Sequence, residues 1–283
     1  ERVAVFDNDG TLLPEKPFAL QEAFVHNRVR SQAGAHPEWA NQEPFNLVLA
    51  GDEARLQALG IRSLGPLAQA VQTGIPQADL DAAARAFILA GRHPRLNKPW
   101  TGLLYQPMRE LIRFLESRDF AVWIVSGGST EFVRIIATDI ASLPSHQVIG
   151  STGRYRLEER AGVLELVRVA GTGALNVGPF KAVHISLATG RRPIIAVGNS
   201  DGDLEMLRFA ESANGTSLVL VVDHDDAARE FAYREGADRV LATAAARNWR
   251  VVSIARDFAT VFAPLTNASG AIMPTASDSM VVH

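Results

Sequence analysis

Several short runs of apolar, β-prone residues in this chain break off abruptly into polar turns. Val3-Ala4-Val5-Phe6 ends in Asp7-Asn8-Asp9-Gly10, and Ala121-Val122-Trp123-Ile124-Val125 ends in Ser126-Gly127-Gly128. Ile194-Ile195-Ala196-Val197 runs into Gly198-Asn199-Ser200-Asp201-Gly202-Asp203, and Ser217 to Val222 into Asp223-His224-Asp225-Asp226. Continuous apolar runs of this length fit strands buried on both faces. Helical patterns follow, as in Leu204–Ala210 and Asp226–Glu235. Strand, polar turn and helix in repetition predict an α/β fold, a parallel sheet with crossover helices.

Residues from about 15 to 100 read differently. They are rich in Ala, Gln and Arg, with helical periodicity in Pro17–Arg30, Asp52–Leu59 and Ala78–Ala90. Gly34, Pro37, Pro44, Gly65-Pro66 and Gly74-Ile75-Pro76 punctuate them as breaks. The expected organisation is a Rossmann-like core from 1–15 and 101–264, a mostly helical cap inserted at 16–100, and a tail at 265–283. Pro107–Ser117 places Met108, Leu111, Ile112 and Leu115 on one helical face and returns the chain to the core. Alternating residues on both sides of Ala161-Gly162 predict a β-hairpin within 145–170.

Composition narrows the function classes. The 283 residues are 47% hydrophobic and 21% charged, a globular profile. A net charge of -3 offers no footprint for nucleic acid or an anionic membrane. No apolar run approaches the roughly 20 residues of a transmembrane helix. With no cysteine, disulfides, thiolate metal sites and cysteine nucleophiles are excluded. The chain begins at Glu1, and its compartment stays open: cytoplasmic, or periplasmic or secreted where a leader has been removed. Oligomeric state carries no signal.

In an open parallel sheet, ligands bind beyond the carboxyl ends of the strands, where these polar turns converge. Asp7 and Asp9 are two apart at a strand end and point the same way. Paired carboxylates suit Mg²⁺, which takes few carboxylates along with waters and a phosphate oxygen. One carboxylate can then attack phosphorus while the other moves protons to and from the leaving oxygen and the attacking water. Ser126, with the backbone N–H groups of Gly127 and Gly128, can cradle phosphate oxygens. Lys181, at the start of the helical stretch Phe180–Ala188, can neutralise the charge that builds up in transfer.

Val5-Phe6-Asp7-Asn8-Asp9-Gly10-Thr11-Leu12 resembles the first motif of haloacid dehalogenase superfamily phosphatases. Ile124-Val125-Ser126-Gly127-Gly128 resembles their second, Lys181 their third, and Gly198-Asn199-Ser200-Asp201-Gly202-Asp203 their fourth. The Ser-Gly-Gly and the helical insertion look closest to the phosphoserine-phosphatase-like branch. The resemblance implies Asp7 as nucleophile, Asp9 as general acid/base, and Ser126, Gly127 and Lys181 as phosphate contacts. It implies Mg²⁺ held by Asp7, the Asp9 carbonyl and the fourth motif through Asn199 and Asp203, and a small-molecule phosphate ester as substrate. Dehalogenases of the superfamily lack the second acid, so Asp9 disfavours a carbon–halogen substrate.

One departure stands out. The fourth motif opens on Asn199 where the family usually carries Asp, which leaves one negative charge fewer, with Asp201 as the candidate to compensate. A phosphotransferase using the same intermediate, and a catalytically silent phosphate-ligand binder, are the alternatives. The scattered His residues read as surface or structural groups, and Asp225-Asp226 as a helix cap. Glu15 and Lys16 read as solvated hinge residues, with contact to substrate as the other option. Trp39, Phe45 and Trp100 suit a cap pocket or core packing equally.

Overall fold

The computed structural model describes residues 2–211 and 216–263; the expected tail at 265–283 lies outside the described residues. The chain opens with β1 (Arg2–Phe6), followed by α1 (Leu20–Gln32), α2 (Phe45–Ala50), α3 (Glu53–Leu59), α4 (Ile61–Gln72) and α5 (Gln77–Ala90). Next come α6 (Gln106–Glu116), β2 (Phe120–Ser129), α7 (Thr130–Ile136) and β3 (Val148–Ser151). β4 (Gly153–Arg160) and β5 (Val163–Thr172) form a hairpin, followed by α8 (Pro179–Thr189), β6 (Ile195–Gly198) and α9 (Leu204–Glu211). The described chain closes with β7 (Leu218–Asp225), β8 (Ala232–Tyr233), α10 (Asp238–Arg247), β9 (Arg250–Ser253) and α11 (Ile254–Asp257).

The parallel strands run in the order β3-β2-β1-β6-β7-β9, and β8 pairs antiparallel with the end of β7. β1 lies at the centre, with Phe6 opposite Ile124 of β2 on one side and Val197 of β6 on the other. The chain builds the sheet outward to β3 on one side of β1, then crosses to β6 and β7 on the other. This makes β1 the topological switch point, so the residues after Phe6, Ile124 and Val197 open onto one crevice.

Alternation along the strands separates two apolar layers. Ala4, Phe6, Val122, Ile124, Ile195 and Val197 face a core completed by α5, α6 and α7 through Ile88, Met108, Ile112 and Phe132. Val3, Val5, Val125, Ala196 and Val221 face the other way, onto Ile185 of α8, Leu207 of α9 and Val240 of α10. A third cluster belongs to the helices after β1, with Phe18, Val25, Val29, Trp39, Phe45, Leu56, Leu67 and Val71. α1 serves two of these cores, since Phe24 joins the sheet layer while Val25 and Val29 join the helical one. The β4–β5 hairpin reaches the same helices: the Gly74 N–H donates to the Arg168 carbonyl at 2.8 Å, and the Arg168 N–H to the Ile75 carbonyl at 3.0 Å. No helix among the described residues is long and apolar enough to cross a membrane.

Two local expectations fail, each for a tertiary reason. Gly65-Pro66 does not break the chain; it lies inside α4, where Leu67 and Val71 are buried in the helical cluster. Proline cannot bond back to the carbonyl of residue 62, which lies in the first turn beside an exposed side chain, so water can satisfy it. The helix expected over Asp226–Glu235 is a turn followed by β8, with His224 opposite Tyr233 and Asp225 opposite Ala232. Asp226 accepts from the N–H groups of Ala228 and Arg229, as a helix cap would. Arg229 then reaches the carbonyls of Ile254 and Phe258 while Glu230 turns inward to His224, and the segment leaves the helical path. β9 was not anticipated, because Arg250-Val251-Val252-Ser253 is too short to stand out.

The aromatic residues of the insertion pack as core. Trp39 stacks on Phe45 with ring centroids 4.7 Å apart, and Trp100 is buried in the sheet-side layer. Trp39→Ala should therefore destabilise the protein by about 3–5 kcal/mol, from lost apolar transfer plus the cavity left behind. Urea denaturation followed by far-UV circular dichroism checks this.

Candidate active site

Asp7 follows β1 directly, and its N–H donates to the Val197 carbonyl of β6 at 2.9 Å, which fixes it at the switch point. The chain then folds into a tight turn in which the N–H groups of Leu12 and Leu13 both donate to the Asn8 carbonyl. Gly10 sits in this turn at φ +76°, and a Cβ there would lie 2.0 Å from Asn199 Nδ2. Only glycine meets both demands.

Lys181 is buried, although lysines at helix starts are usually solvated. Its Nζ donates to Asp7 Oδ1 and Asp203 Oδ1, both at 2.6 Å. Burial works against the ammonium charge, but Asp203 and Asp7 outweigh it and raise the lysine pKa. Burial, followed by the charge of Asp203, pushes the Asp7 carboxyl up. Asp203, expected among the metal ligands, already has both carboxylate oxygens engaged. Oδ1 takes Lys181, while Oδ2 accepts from the N–H groups of Asn199 and Ser200 and from the Ser200 hydroxyl. It holds the ammonium and closes the turn after β6.

Asp9 is half-buried beside these groups. Burial, then the charge of Glu15, raises its pKa to about 7, and a hydrogen bond from Asn8 opposes the rise. Asn199 is almost fully buried: its Oδ1 accepts from the Thr11 hydroxyl at 3.1 Å, and its Nδ2 donates to Glu15 Oε1 at 3.1 Å. Asp201 does not compensate for Asn199. Its carboxylate accepts from the Val240 N–H at 2.8 Å and so caps the first turn of α10.

Ser126 and Gly127 lie near the end of β2, in a different local form from the expected loop. β2 continues to Ser129, with a register shift against β3 between Val125 and Ser129. Ser126 is fully buried and its Oγ accepts from the Gly128 N–H at 3.0 Å. Gly127 stays exposed, and its carbonyl accepts from the Ser151 hydroxyl. Asn176, which the sequence did not mark, pins this strand end from below. Its Nδ2 donates to the carbonyls of Ser126 and Ile149, and its Oδ1 faces His184.

A second buried network lies behind the first turn, and the sequence missed it. His224 Nε2 meets the Gly10 carbonyl at 2.8 Å and its Nδ1 meets Glu230 at 3.1 Å. The Tyr105 hydroxyl donates to the other Glu230 oxygen at 2.8 Å. Burial works against a charge on His224, but Glu230 outweighs it and raises the pKa. Tyr233 stacks on His224 and donates its hydroxyl to Glu15 at 2.7 Å. Glu15 is therefore no solvated hinge residue; it is bound into the site, where burial raises its pKa.

The donor set fits a hard cation. Asp7, the Asp9 carbonyl and Asn199 Oδ1 are oxygen donors at the end of β1 and the facing turn, and the carboxylates of Asp7, Asp9, Glu15 and Asp203 gather around Lys181, with Lys16 and His224 acting on Glu15. Among the described residues no three His, Asp or Glu side chains converge into a ready-made metal cage. Magnesium does not need one, because it keeps several waters and takes ligand oxygens from substrate.

Comparisons with known proteins agree with this architecture. A protein of unknown function from Bordetella pertussis Tohama I superposes with a TM-score of 0.58 at 16% identity, covering 89% of this chain and 98% of that one. A conserved, functionally unknown protein from Anaerococcus prevotii DSM 20548 gives 0.55 at 15% identity, covering 89% and 85%. At such identities the likeness is one of fold. No curated protein matches the sequence. The sequence model of haloacid dehalogenase-like hydrolases matches residues 4–208, across β1, the helical insertion and the sheet as far as α9. The chain thus belongs to the haloacid dehalogenase-like hydrolase family.

Proposed function

We propose that this protein hydrolyses small-molecule phosphate monoesters through an aspartyl-phosphate on Asp7. The observation that carries the reading is the buried Lys181 ammonium held between Asp7 and Asp203 at the switch point of the sheet. A cation fixed against the nucleophile stabilises negative charge that develops on the transferring oxygens, and it needs no rearrangement to do so. Asp7 attacks phosphorus, and the leaving oxygen takes a proton from Asp9. Burial and Glu15 raise the Asp9 pKa to about 7 in the metal-free protein, which suits it to exchange protons near neutrality. Asp9 then takes a proton from the water that hydrolyses the acyl phosphate and releases inorganic phosphate.

In this reading Asp7, the Asp9 carbonyl and Asn199 hold Mg²⁺, which screens the repulsion between an anionic nucleophile and an anionic substrate. Asp203 acts through Lys181. Ser126 and the N–H of Gly127 contact the phosphate oxygens. Residues 16–100 form the cap, with the 1–15 and 101–264 segments as the core, and the cap limits water and selects the ester. The shared apolar packing of α1 supports a cap held close to the core.

Two outcomes are expected. Hydrolysis of a chromogenic aryl phosphate should need Mg²⁺ and should fall to background in Asp7→Asn, and release of inorganic phosphate in the presence of added alcohol separates hydrolysis from transfer. Retained turnover in Asp7→Asn would overturn the mechanism. The second outcome concerns pH. In metal-free protein, folded Asp9 keeps its proton up to about pH 7, whereas the unfolded chain releases it near about pH 4. The folded state binds more protons in that window, so this contribution to stability is lost as pH rises. The melting temperature of Asp9→Asn, measured in chelator, should gain on that of wild type as pH rises from about 4 to about 8.

A further inference from the structure

The turn after β6 lacks the carboxylate that a cation there would meet. Asn199 occupies its opening position, and the acid two residues on, Asp201, points away to cap α10. A carboxylate does approach from across the crevice. Glu15, in the segment after β1, lies 3.1 Å from Asn199 Nδ2, and its position is set by the Tyr233 hydroxyl at 2.7 Å. The same oxygen would lie 2.9 Å from a Cβ at Gly10, so the carboxylate, the amide and the Asp9 turn are packed together. We propose that Glu15 supplies the metal-site negative charge that Asn199 does not, so the cation is balanced by an acid on the β1 side of the crevice.

The physical case is one of charge. Glu15 is packed against the turn that carries Asp9, and burial weakens the screening of like charges there. Lys181 is committed to Asp7 and Asp203. Lys16, whose ammonium stands over the Tyr233 ring 5.0 Å from its centroid, and His224 offset only part of the Glu15 charge. A divalent cation on the Asp7, Asp9 and Asn199 oxygens offsets that like charge. Through its hydrogen bond Glu15 also sets the Asn199 amide, so that the nitrogen faces the acid and the oxygen stays with Thr11. This assignment rests on the metal-dependent reading above, but it concerns binding of the ion and needs no turnover.

Calorimetric titration of the intact protein with Mg²⁺ alone tests it, on wild type, Glu15→Gln, Asn199→Asp and the double variant. Glutamine keeps the shape and an acceptor for Tyr233 while removing the charge. Glu15→Gln should weaken Mg²⁺ by roughly 10- to 100-fold, the range seen when groups supporting a metal site are lost. Asn199→Asp should tighten it, and the double variant, with its charge returned to the β6 side, should come back close to wild type. Melting temperatures in chelator separate charge from scaffolding: metal-free Glu15→Gln, which keeps the acceptor for Tyr233 and Asn199, should be at least as stable as wild type. The proposal is overturned if Glu15→Gln binds Mg²⁺ as tightly as wild type, if the double variant stays as weak as the single one, or if metal-free Glu15→Gln is destabilised. Absence of Mg²⁺ binding by wild type would overturn both this assignment and the magnesium part of the reading above. A Glu15-dependent Mg²⁺ site in a protein that cleaves no phosphate ester would uphold the assignment and overturn the phosphatase.

Discussion

The ammonium of Lys181 sits buried between two carboxylates, and much of the site follows from that placement. Neither acid would be stable as a buried anion alone, and a buried lysine without them would lose its proton. The three groups come from separate parts of the chain: Asp7 from the end of β1, Lys181 from the first turn of α8, Asp203 from the turn after β6. Their meeting requires β1 between β2 and β6, α8 packed through Ile185 on the far apolar layer, and the turn after β6 closed by Asp203 itself. Removing one partner would strand an uncompensated buried charge, which is the expensive way to break such a pair.

Around that contact the structure arranges two kinds of support. One is backbone: Gly10 lets the first turn close against Asn199, and Asn176 ties down the carbonyls of Ser126 and Ile149. The other is a chain of buried polar groups from Tyr105 and Glu230 through His224 to the Gly10 carbonyl, with Tyr233 linking it to Glu15. Buried polar networks of this kind cost little only when their members are satisfied, and satisfied ones hold a single geometry. The turn carrying Asp9 is therefore braced by a buried network that meets it at the Gly10 carbonyl.

The motif residues were legible because their chemistry is written next to strand ends. An apolar run followed by Asp-Asn-Asp-Gly places two carboxylates at the edge of a sheet whatever the rest of the chain does. The hairpin around Ala161-Gly162 and the amphipathic helix that became α6 were legible from their periods alone. Residues 226–235 misled because Asp226 does begin a turn as a helix cap would, while Arg229 and Glu230 are drawn to partners elsewhere. Pro66 misled for the converse reason, since burial of Leu67 and Val71 keeps α4 helical around it.

Local order along the chain thus determined the α/β class, the succession of strands and turns, and the identity of Asp7, Asp9, Ser126, Lys181 and the Asn199 turn as candidate chemistry. Each of these depends on near neighbours in sequence or on a short period. The partners of those residues were decided only by tertiary structure. Glu15 meets Asn199 across 184 positions, Lys181 meets Asp7 across 174, and His224 meets Gly10 across 214. Pairings at such separations are set by strand order and by the layers that bury them. No local pattern encodes the field that each charge feels, which is why the burial of Lys181 and the inward turn of Glu15 emerged only in the fold.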